Sequence, residues 1–322
     1  MIEKIIFRRT KVCCPLLITL LLINLGICHA QPKSPLEVVK LFDKAYGSPL
    51  LDEITDYTTP KFRDTKPKSV WVLKADAGGL EFHKHPQSYV IEKLKSHDIV
   101  FLGTTHKEEA ILKFVAGLIS RLHETGITHL GLEIFSDQQG KIDSFLQTGN
   151  GLDEIIVHPL IDCAKYRNLL TTTRSLDKGR RPALVALVLP KSMYQGEINR
   201  DEWMARSIAK IFHRNPNAKL LAVVGNLHVL KKIEWEDTVP NRHGSIRSYL
   251  NRLTPHRRMF SIGQLIDRSS NECDFTNAFS HLEGAVAMDC NGRFTGWRIG
   301  IMASVAARHT KASELLDGVI VY

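Results

Sequence analysis

The sequence predicts an α/β fold whose mostly parallel sheet is covered by helices on both faces. Between residues 98 and 265, short apolar segments alternate with longer amphipathic segments. Strands that are buried on both faces have such continuous apolar runs, and helices pack on either side of them. Right-handed crossovers place the carboxyl ends of these strands at one edge of the sheet, where ligands of such folds usually bind.

The individual elements follow from apolar periodicity along the chain. The predicted strands are residues 69–74, 98–103, 128–135, 182–189, 218–225 and 259–265. The predicted helices are residues 35–46, 87–96, 108–123, 138–148, 161–175, 201–213, 227–235 and 245–253. Thr105 and Glu108 fit a capping box that would start the third of these helices. Residues 284–302 predict a C-terminal β-hairpin addition that turns at residues 289–292.

The first 30 residues have the layout of a secretory signal peptide. Basic residues between positions 4 and 11 precede an apolar run from Cys13 to Cys28, and Ala30 is a small residue at the cleavage position. The run is short for a membrane span, which needs about 20 apolar residues. Bulky Ile27 disfavours lipoprotein anchoring through Cys28. We therefore expect an exported protein, periplasmic or secreted, with cleavage near Ala30 and no stable membrane span.

The remaining chain is predicted to form an extension over residues 31–96, which packs on the core, and an α/β domain over residues 97–322. The net charge is +9 over the whole chain, and no block of five or more like charges is present. Nucleic-acid binding is therefore not expected. The partner that we expect, in line with the resemblance described below, is a small-molecule or peptide substrate.

Three cysteines lie beyond the predicted cleavage position, namely Cys163, Cys273 and Cys290. Their spacing matches no metal-binding motif. In an oxidising compartment Cys273 and Cys290 could pair, and buried free thiols are an equal alternative.

Two histidines follow core strands in the same local pattern. The strand at 98–103 ends at Gly103, and His106 follows three positions later. The strand at 218–225 likewise ends at Gly225, and His228 follows three positions later. Glycine permits a tight turn or a close approach of the backbone to a ligand. Both histidines are therefore predicted to lie at the ligand edge of the sheet.

Glu133 lies within the apolar strand at 128–135. A carboxylate buried there is costly unless it is paired or bound to metal, and His106 and His228 are its candidate partners. Two histidines and one carboxylate can hold a divalent metal with a position left open for water. Without metal, the same group can perform general acid–base chemistry. Each residue alone has a structural explanation, whereas the three together favour a site.

Two further side chains are candidates for substrate binding. Arg200 precedes Asp201 at a predicted helix start, where the acid suits the positive end of the helix. Arg200 either reaches an anionic substrate group or is solvated. Tyr166 is either a ligand-facing phenol or a packed aromatic. The other histidines considered are expected to be non-catalytic: His123, His129, His158, His213, His243 and His256.

Residues 97–265 resemble a superfamily that comprises the ChaN-type haem-uptake lipoproteins, the erythromycin esterases and the Tiki/TraB/GumN proteins. The matching segments, in the order of the ChaN-like branch, are IVFLGTTH at 99–106, LEIFSDQQ at 132–139, IDSFL at 142–146, RDEWMA at 200–205 and VVGNLHV at 223–229. The sequence departs at Thr104, because the esterase and ChaN branches carry glutamate there and the Tiki-like branch carries threonine. This departure puts the esterase mechanism in doubt.

The resemblance implies an α/β fold with a pocket lined by His106, Glu133, Arg200 and His228. Thr104 holds the position of the superfamily glutamate and is a further candidate for substrate contact. Members hydrolyse esters or peptides, or bind haem. We therefore expect a hydrolase of ester or amide bonds, with or without a divalent metal.

Two alternatives remain open. The first is a haem- or small-ligand-binding protein without catalysis, with Tyr166, His106 or His228 as the axial ligand. An aromatic content of 7% disfavours it. The second is a degenerate domain used for partner contact, in which the two histidines contribute to stability alone.

Overall fold

The computed structural model describes residues 71–73, 83–193, 199–235, 244–265, 284–290, 294–296, 303–304 and 312–322. The predicted signal peptide, the predicted helix at 35–46, His243 and Cys273 lie outside these residues. Within the described residues, no helix is long and apolar enough to cross a membrane.

The strands, in chain order, are β1 (Trp71–Leu73), β2 (Ile99–Thr104), β3 (His129–Phe135), β4 (Ala183–Val188), β5 (Leu220–Gly225), β6 (Glu234–Trp235), β7 (Met259–Leu265), β8 (Val286–Asp289), β9 (Phe294–Gly296), β10 (Ala303–Ser304) and β11 (Gly318–Val321). The helices are α1 (Pro86–Ser96), α2 (Glu109–Ser120), α3 (Gln139–Thr148), α4 (Ala164–Ser175), α5 (Arg200–Arg214), α6 (Ile246–Leu253) and α7 (Ala312–Leu315).

The predicted α/β fold is confirmed. Seven strands form one sheet in the order β4-β3-β5-β2-β7-β11-β8. Every neighbouring pair is parallel except β11 with β8, which is antiparallel. The chain crosses from β2 past β5 to β3, continues outward to β4, and returns to β5. The ends of β2, β3 and β5 therefore meet near the centre of one sheet edge.

Each face of the sheet carries its own apolar core, because successive side chains of a strand point to opposite faces. In β2, Ile99 and Phe101 pack with α5 and α6 on one face, while Val100 and Leu102 pack with α1, α2 and α4 on the other. Helix α1 lies in the predicted N-terminal extension and buries four residues against the second core: Tyr89, Val90, Ile91 and Leu94.

The C-terminal antiparallel addition is present, but its strands pair differently from a simple hairpin. Strand β8 pairs with β11, which lies between β8 and β7. Strand β9 pairs antiparallel with β1. The sequence did not predict β11, a short apolar strand with the sequence GVIV. Its backbone pairs with β7 on one side and with β8 on the other.

Two local predictions were wrong. Residues 227–235 form turns followed by β6 instead of a helix, because the apolar pattern there reflects the burial of Val229 and Leu230. Helix α2 begins at Glu109 without a side-chain cap, so the Thr105 capping box is absent. Lys107 has a left-handed backbone with φ of 58°, which places Thr105 and Glu108 in a turn before the helix.

Cys290 is a buried free thiol, and Cys273, its possible partner, lies outside the described residues. Cys163 is free and partly buried. The alternative of free thiols is therefore correct for these two residues.

Asp317 fixes the start of β11 to the rest of the fold. Its carboxylate accepts hydrogen bonds from Lys231 Nζ at 2.6 Å, Arg247 Nη1 at 2.5 Å and the Ser261 N–H at 2.8 Å. Burial raises the pKa of Asp317, but these partners outweigh it and hold the pKa below its usual value. Asp317 is therefore ionised at neutral pH and anchors β11 to α6 and β7.

We expect Asp317→Asn to lower the free energy of unfolding by about 1–3 kcal/mol, because it weakens three hydrogen bonds to a partly buried charge. Since the folded-state pKa is lowered, the contribution of Asp317 is present above the unfolded-state pKa and is lost as the pH falls through the folded-state pKa. Urea unfolding at pH 7 and at acidic pH measures both effects. Asp177→Asn, at an exposed position, is the control; equal stability of both variants at pH 7 would contradict this role.

Candidate active site

The structure brings His106, Glu133 and His228 together at the carboxyl edge of the sheet. They converge on Gly225, the last residue of β5. A Cβ atom placed on Gly225 would lie 3.5 Å from Glu133 Oε2, 3.5 Å from His228 Cδ2 and 3.7 Å from His106 Cε1. Three side chains from distant parts of the chain therefore surround one point.

A local separation of strands makes room for the Glu133 carboxylate. Strands β3 and β5 pair from His129 with Leu220 to Leu132 with Val223, and the pairing ends there. On the other side of β3, the register with β4 shifts between Leu132 and Phe135. Glu133 is the first residue past the β5 ladder, and its Oε2 accepts the Gly225 N–H at 2.8 Å.

Glu133 is ionised despite being only 7% exposed. Its Oε1 lies 3.8 Å from His228 Nε2 and 4.0 Å from Arg200 Nη1. Burial is the largest single influence and raises the pKa of Glu133. His228, His106, Arg200 and the Gly225 N–H together outweigh it and hold the pKa below its usual value.

His228 is held between two carboxylates. Its Nδ1 lies 2.5 Å from Asp201 Oδ1, and its Nε2 faces Glu133. Burial acts to lower the pKa of His228 and is the largest single influence. The charge and hydrogen bond of Asp201, together with the charge of Glu133, prevail and raise the pKa above its usual value.

His106 differs from His228 in both exposure and charge. The residue is exposed at the sheet edge, yet protein atoms crowd its ring, and this desolvation is the largest influence lowering its pKa. Glu133 opposes the change, while the positive charges of His228, Arg200 and Lys107 add to it. At neutral pH the His106 imidazole is therefore neutral, whereas the His228 imidazole favours its charged form.

Asn226 joins the two loops that carry the histidines. Its side chain accepts the Gln264 N–H at 3.0 Å and donates to the Gln264 carbonyl at 2.7 Å, so it continues the ladder towards β7. It also donates to Thr105 Oγ1 at 3.2 Å. Gly103 leaves the space for this side chain, because a Cβ at that position would lie 2.1 Å from Asn226 Oδ1. The glycines of the two patterns therefore leave space for different side chains. Gly103 makes room for Asn226, and Gly225 lies against Glu133, His228 and His106.

The remaining predicted site residues lie in different environments. Arg200 is beside Glu133, with 18% of its side chain exposed. Thr104 is buried and its hydroxyl donates to the Val224 carbonyl at 3.3 Å. Tyr166 is 3% exposed and packs in the core on the α4 face of the sheet. Burial, followed by the Glu133 charge, raises the pKa of Tyr166 well above its usual value. The substrate contacts of Thr104 and Tyr166 stay predictions.

Asp201, which was expected only at a helix start, and His158, which was expected to be non-catalytic, both contribute to this site. Asp201 occupies the predicted helix start, and its contact with His228 carried no signal in the sequence. His158 accepts the Leu160 N–H at Nδ1, at 3.1 Å. Burial and the positive charges of Arg200, His106 and Lys107 lower its pKa well below the usual value. His158 therefore belongs to the same electrostatic cluster, and its position before α4 showed no pattern that separates it from a loop residue.

The predicted metal ligands do not fit a metal ion in this arrangement. Within the part of the chain that the structure describes, no three His, Cys, Asp or Glu side chains are placed to hold one. The Arg200 guanidinium also lies beside the Glu133 carboxylate, where its positive charge opposes a second cation.

Solved structures with the same fold support the predicted resemblance. One is a histidine-to-asparagine mutant of the erythromycin esterase EreC in its open conformation, with a TM-score of 0.55 and 11% identity over 73% of this chain and 92% of that chain. The fold of this chain is similar to that of this erythromycin esterase. The resemblance indicated by the sequence motifs is confirmed at the level of the fold.

Two further solved structures have a fold similar to that of this chain. A succinoglycan biosynthesis protein has a TM-score of 0.54 and 9% identity, over 81% of this chain and 95% of that chain. A Bacillus cereus protein has a TM-score of 0.50 and 14% identity, over 90% and 97%. No protein-family model matches the sequence, and no curated protein matches it significantly.

We expect Asn226→Ala to lower the free energy of unfolding by about 1–3 kcal/mol, because it leaves backbone groups of buried Gln264 without their partners. Asn217→Ala, at an exposed position, provides the control for loss of an asparagine side chain. Chemical denaturation of both variants tests the difference. Equal midpoints and slopes for the two variants would show that Asn226 does not support the edge of the sheet.

Proposed function

We propose that the protein hydrolyses ester or amide bonds at the site formed by His106, Glu133 and His228. The observation that carries this proposal is the pairing of two different imidazoles around one ionised carboxylate. His106 is neutral and exposed, whereas His228 is buried and favours its charged form. Pairs of titratable groups whose environments separate their pKa values are typical of acid–base catalysis.

His106 is the general base in this proposal. Its neutral ring takes a proton from a water molecule as the water oxygen attacks the carbonyl carbon of the substrate. The same proton then passes from His106 to the leaving alcohol or amine as its bond to the carbonyl carbon breaks. Exposure at the sheet edge gives His106 access to both water and substrate.

Arg200 and His228 stabilise the negative charge that develops on the carbonyl oxygen. Both carry or favour positive charge and lie within 4.0 Å of Glu133 Oε1. Glu133 holds this pair of cations in place and, being ionised, does not donate a proton. The erythromycin esterase of the same fold is by its name an ester hydrolase, which agrees with the reaction class proposed here.

Export through cleavage near Ala30 is part of the proposal. The basic start and the short apolar run of residues 1–30 support it. Mass spectrometry of the protein recovered from a secreting host tests it, because cleavage gives a chain that begins at Gln31. A chain that retains Met1 would contradict it.

A second candidate is haem or small-ligand binding without catalysis. The position of His106, an exposed residue at the edge of the sheet, favours it, because iron can reach a histidine there. His228 and Tyr166 are buried and are less accessible ligands. A Soret band that appears on haem titration and is lost in His106→Ala would support this candidate. An unchanged spectrum at micromolar haem would remove it.

We expect His106→Asn to lower kcat/KM for a hydrolysed ester by about 10²–10⁴-fold, the usual contribution of a general base. His213→Asn is the matched control, because His213 is exposed in the last turn of α5, far from Arg200 in the first turn. A panel of esters, amides and lactones supplies the substrate. Equal losses in both variants would contradict the role of His106.

We expect Gly225→Ala to fold normally and to lose activity. The added methyl group would contact Glu133, His228 and His106 at ordinary distances of 3.5–3.7 Å, so it causes no clash but fills the space among them. Gly140→Ala is the control, since a Cβ there meets nothing within 4 Å. Circular dichroism and hydrolysis assays are compared for both variants. Full activity of Gly225→Ala would place the reaction elsewhere.

The pH dependence of kcat/KM is expected to be bell-shaped. Activity rises as His106 loses its proton, at a pKa below the usual histidine value, and falls as His228 loses its proton, at a pKa above that value. Glu133→Gln removes a charge that raises both pKa values, so both limbs move to lower pH. If both limbs of the pH profile stay at the same pH in Glu133→Gln, this assignment is contradicted.

A further inference from the structure

We propose that Asp201 is a positioning residue that fixes the ring orientation of His228 and keeps a proton on its Nδ1. The contact between the two side chains stands on the geometry alone. Its effect on the rate rests on the function proposed above. Asp201 was expected only to suit the positive end of helix α5, and the structure gives it a more specific role.

Asp201 is not required to cap helix α5. The N-cap is Asn199, whose side-chain oxygen accepts the Glu202 N–H at 2.7 Å. The Asn199 amide nitrogen also donates to the Tyr249 hydroxyl at 2.7 Å, which ties the helix start to α6. The carboxylate of Asp201, in a residue only 3% exposed, contacts His228 instead.

The contact with Asp201 determines which nitrogen of His228 faces the reaction. Asp201 Oδ1 lies 2.5 Å from Nδ1, so Nδ1 carries a proton that it donates to this carboxylate. Nε2 is thereby directed towards Glu133 Oε1, 3.8 Å away. A carboxylate bound to one imidazole nitrogen commonly fixes the role of the other. With the residue only 6% exposed, water cannot readily replace Asp201 as that partner.

The backbone places His228 for this contact as well. The His228 N–H donates to the Gly225 carbonyl at 2.9 Å, which holds the residue in a turn directly after β5. The ring therefore lies between the end of β5 and the first turn of α5. Asp201 approaches the ring from the first turn of α5 and Glu133 approaches it from β3, one at each ring nitrogen.

The next residue in the chain supplies a matched control. Glu202 also lies in the first turn of α5, but it forms an ion pair with Arg206 at 2.7 Å on the outer side of the helix. Loss of its charge changes the helix start to a similar extent. It leaves the partner of His228 in place.

The experiment compares Asp201→Asn, Asp201→Glu and Glu202→Gln in the full chain. Histidine-selective ¹⁵N labelling and NMR report which ring nitrogens of His228 carry a proton, and His228→Asn assigns its signals. We expect a downfield Nδ1–H proton in the native protein and in Glu202→Gln, its loss in Asp201→Asn and its partial return in Asp201→Glu. Hydrolysis should show a kcat lowered by about 10²–10⁴-fold in Asp201→Asn, with KM little changed.

Unchanged His228 signals in a folded Asp201→Asn variant would overturn the inference, as would the absence of the downfield proton from the native protein. If Asp201→Asn does not fold, Asp201→Glu decides, because a longer carboxylate must displace the His228 resonance if the contact exists. If no substrate is hydrolysed by any variant, the proposed function fails, while the NMR comparison still decides the contact. If Glu202→Gln lowers kcat as much as Asp201→Asn does, the effect of Asp201 comes from the helix start and not from its contact with His228.

Discussion

The carboxylate of Glu133 occupies the place where strands β3 and β5 stop pairing, and it accepts the Gly225 N–H there. This hydrogen bond joins the ends of two central strands through a side chain. The cost of burying a carboxylate is large unless charge and hydrogen bonds compensate for it. Arg200, His228 and His106 provide that compensation, so the electrostatic character of the whole site follows from one buried charge.

The sequence predicted the parts of the structure that depend on apolar periodicity and on strand ends. The alternation of apolar runs and amphipathic helices gave the parallel sheet, and parallel strands place their carboxyl ends at one edge. The repeated glycine and histidine spacing then placed His106 and His228 at that edge. Glu133 was conspicuous because carboxylates are rarely buried without a partner.

The sequence did not predict features that depend on contacts between distant segments. The pairing of Asp201 with His228 joins a helix start to a turn that follows another strand, and neither residue has a local pattern that requires it. Asn226 completes the ladder to Gln264 through its side chain, which no periodicity reveals. The left-handed backbone of Lys107 displaced the start of α2, since its conformation is set by the surrounding structure and not by its residue type.

The claim that the buried charge of Glu133 controls the chemistry at His106 is tested most directly by a double-mutant cycle. The kcat/KM values of the native protein, His106→Asn, Glu133→Gln and the double variant are measured on one hydrolysed ester. Groups that act together in catalysis give strongly non-additive losses. The account predicts that the double variant is about as active as the less active of the two single variants. Losses that multiply would show that the two residues act independently and would contradict it.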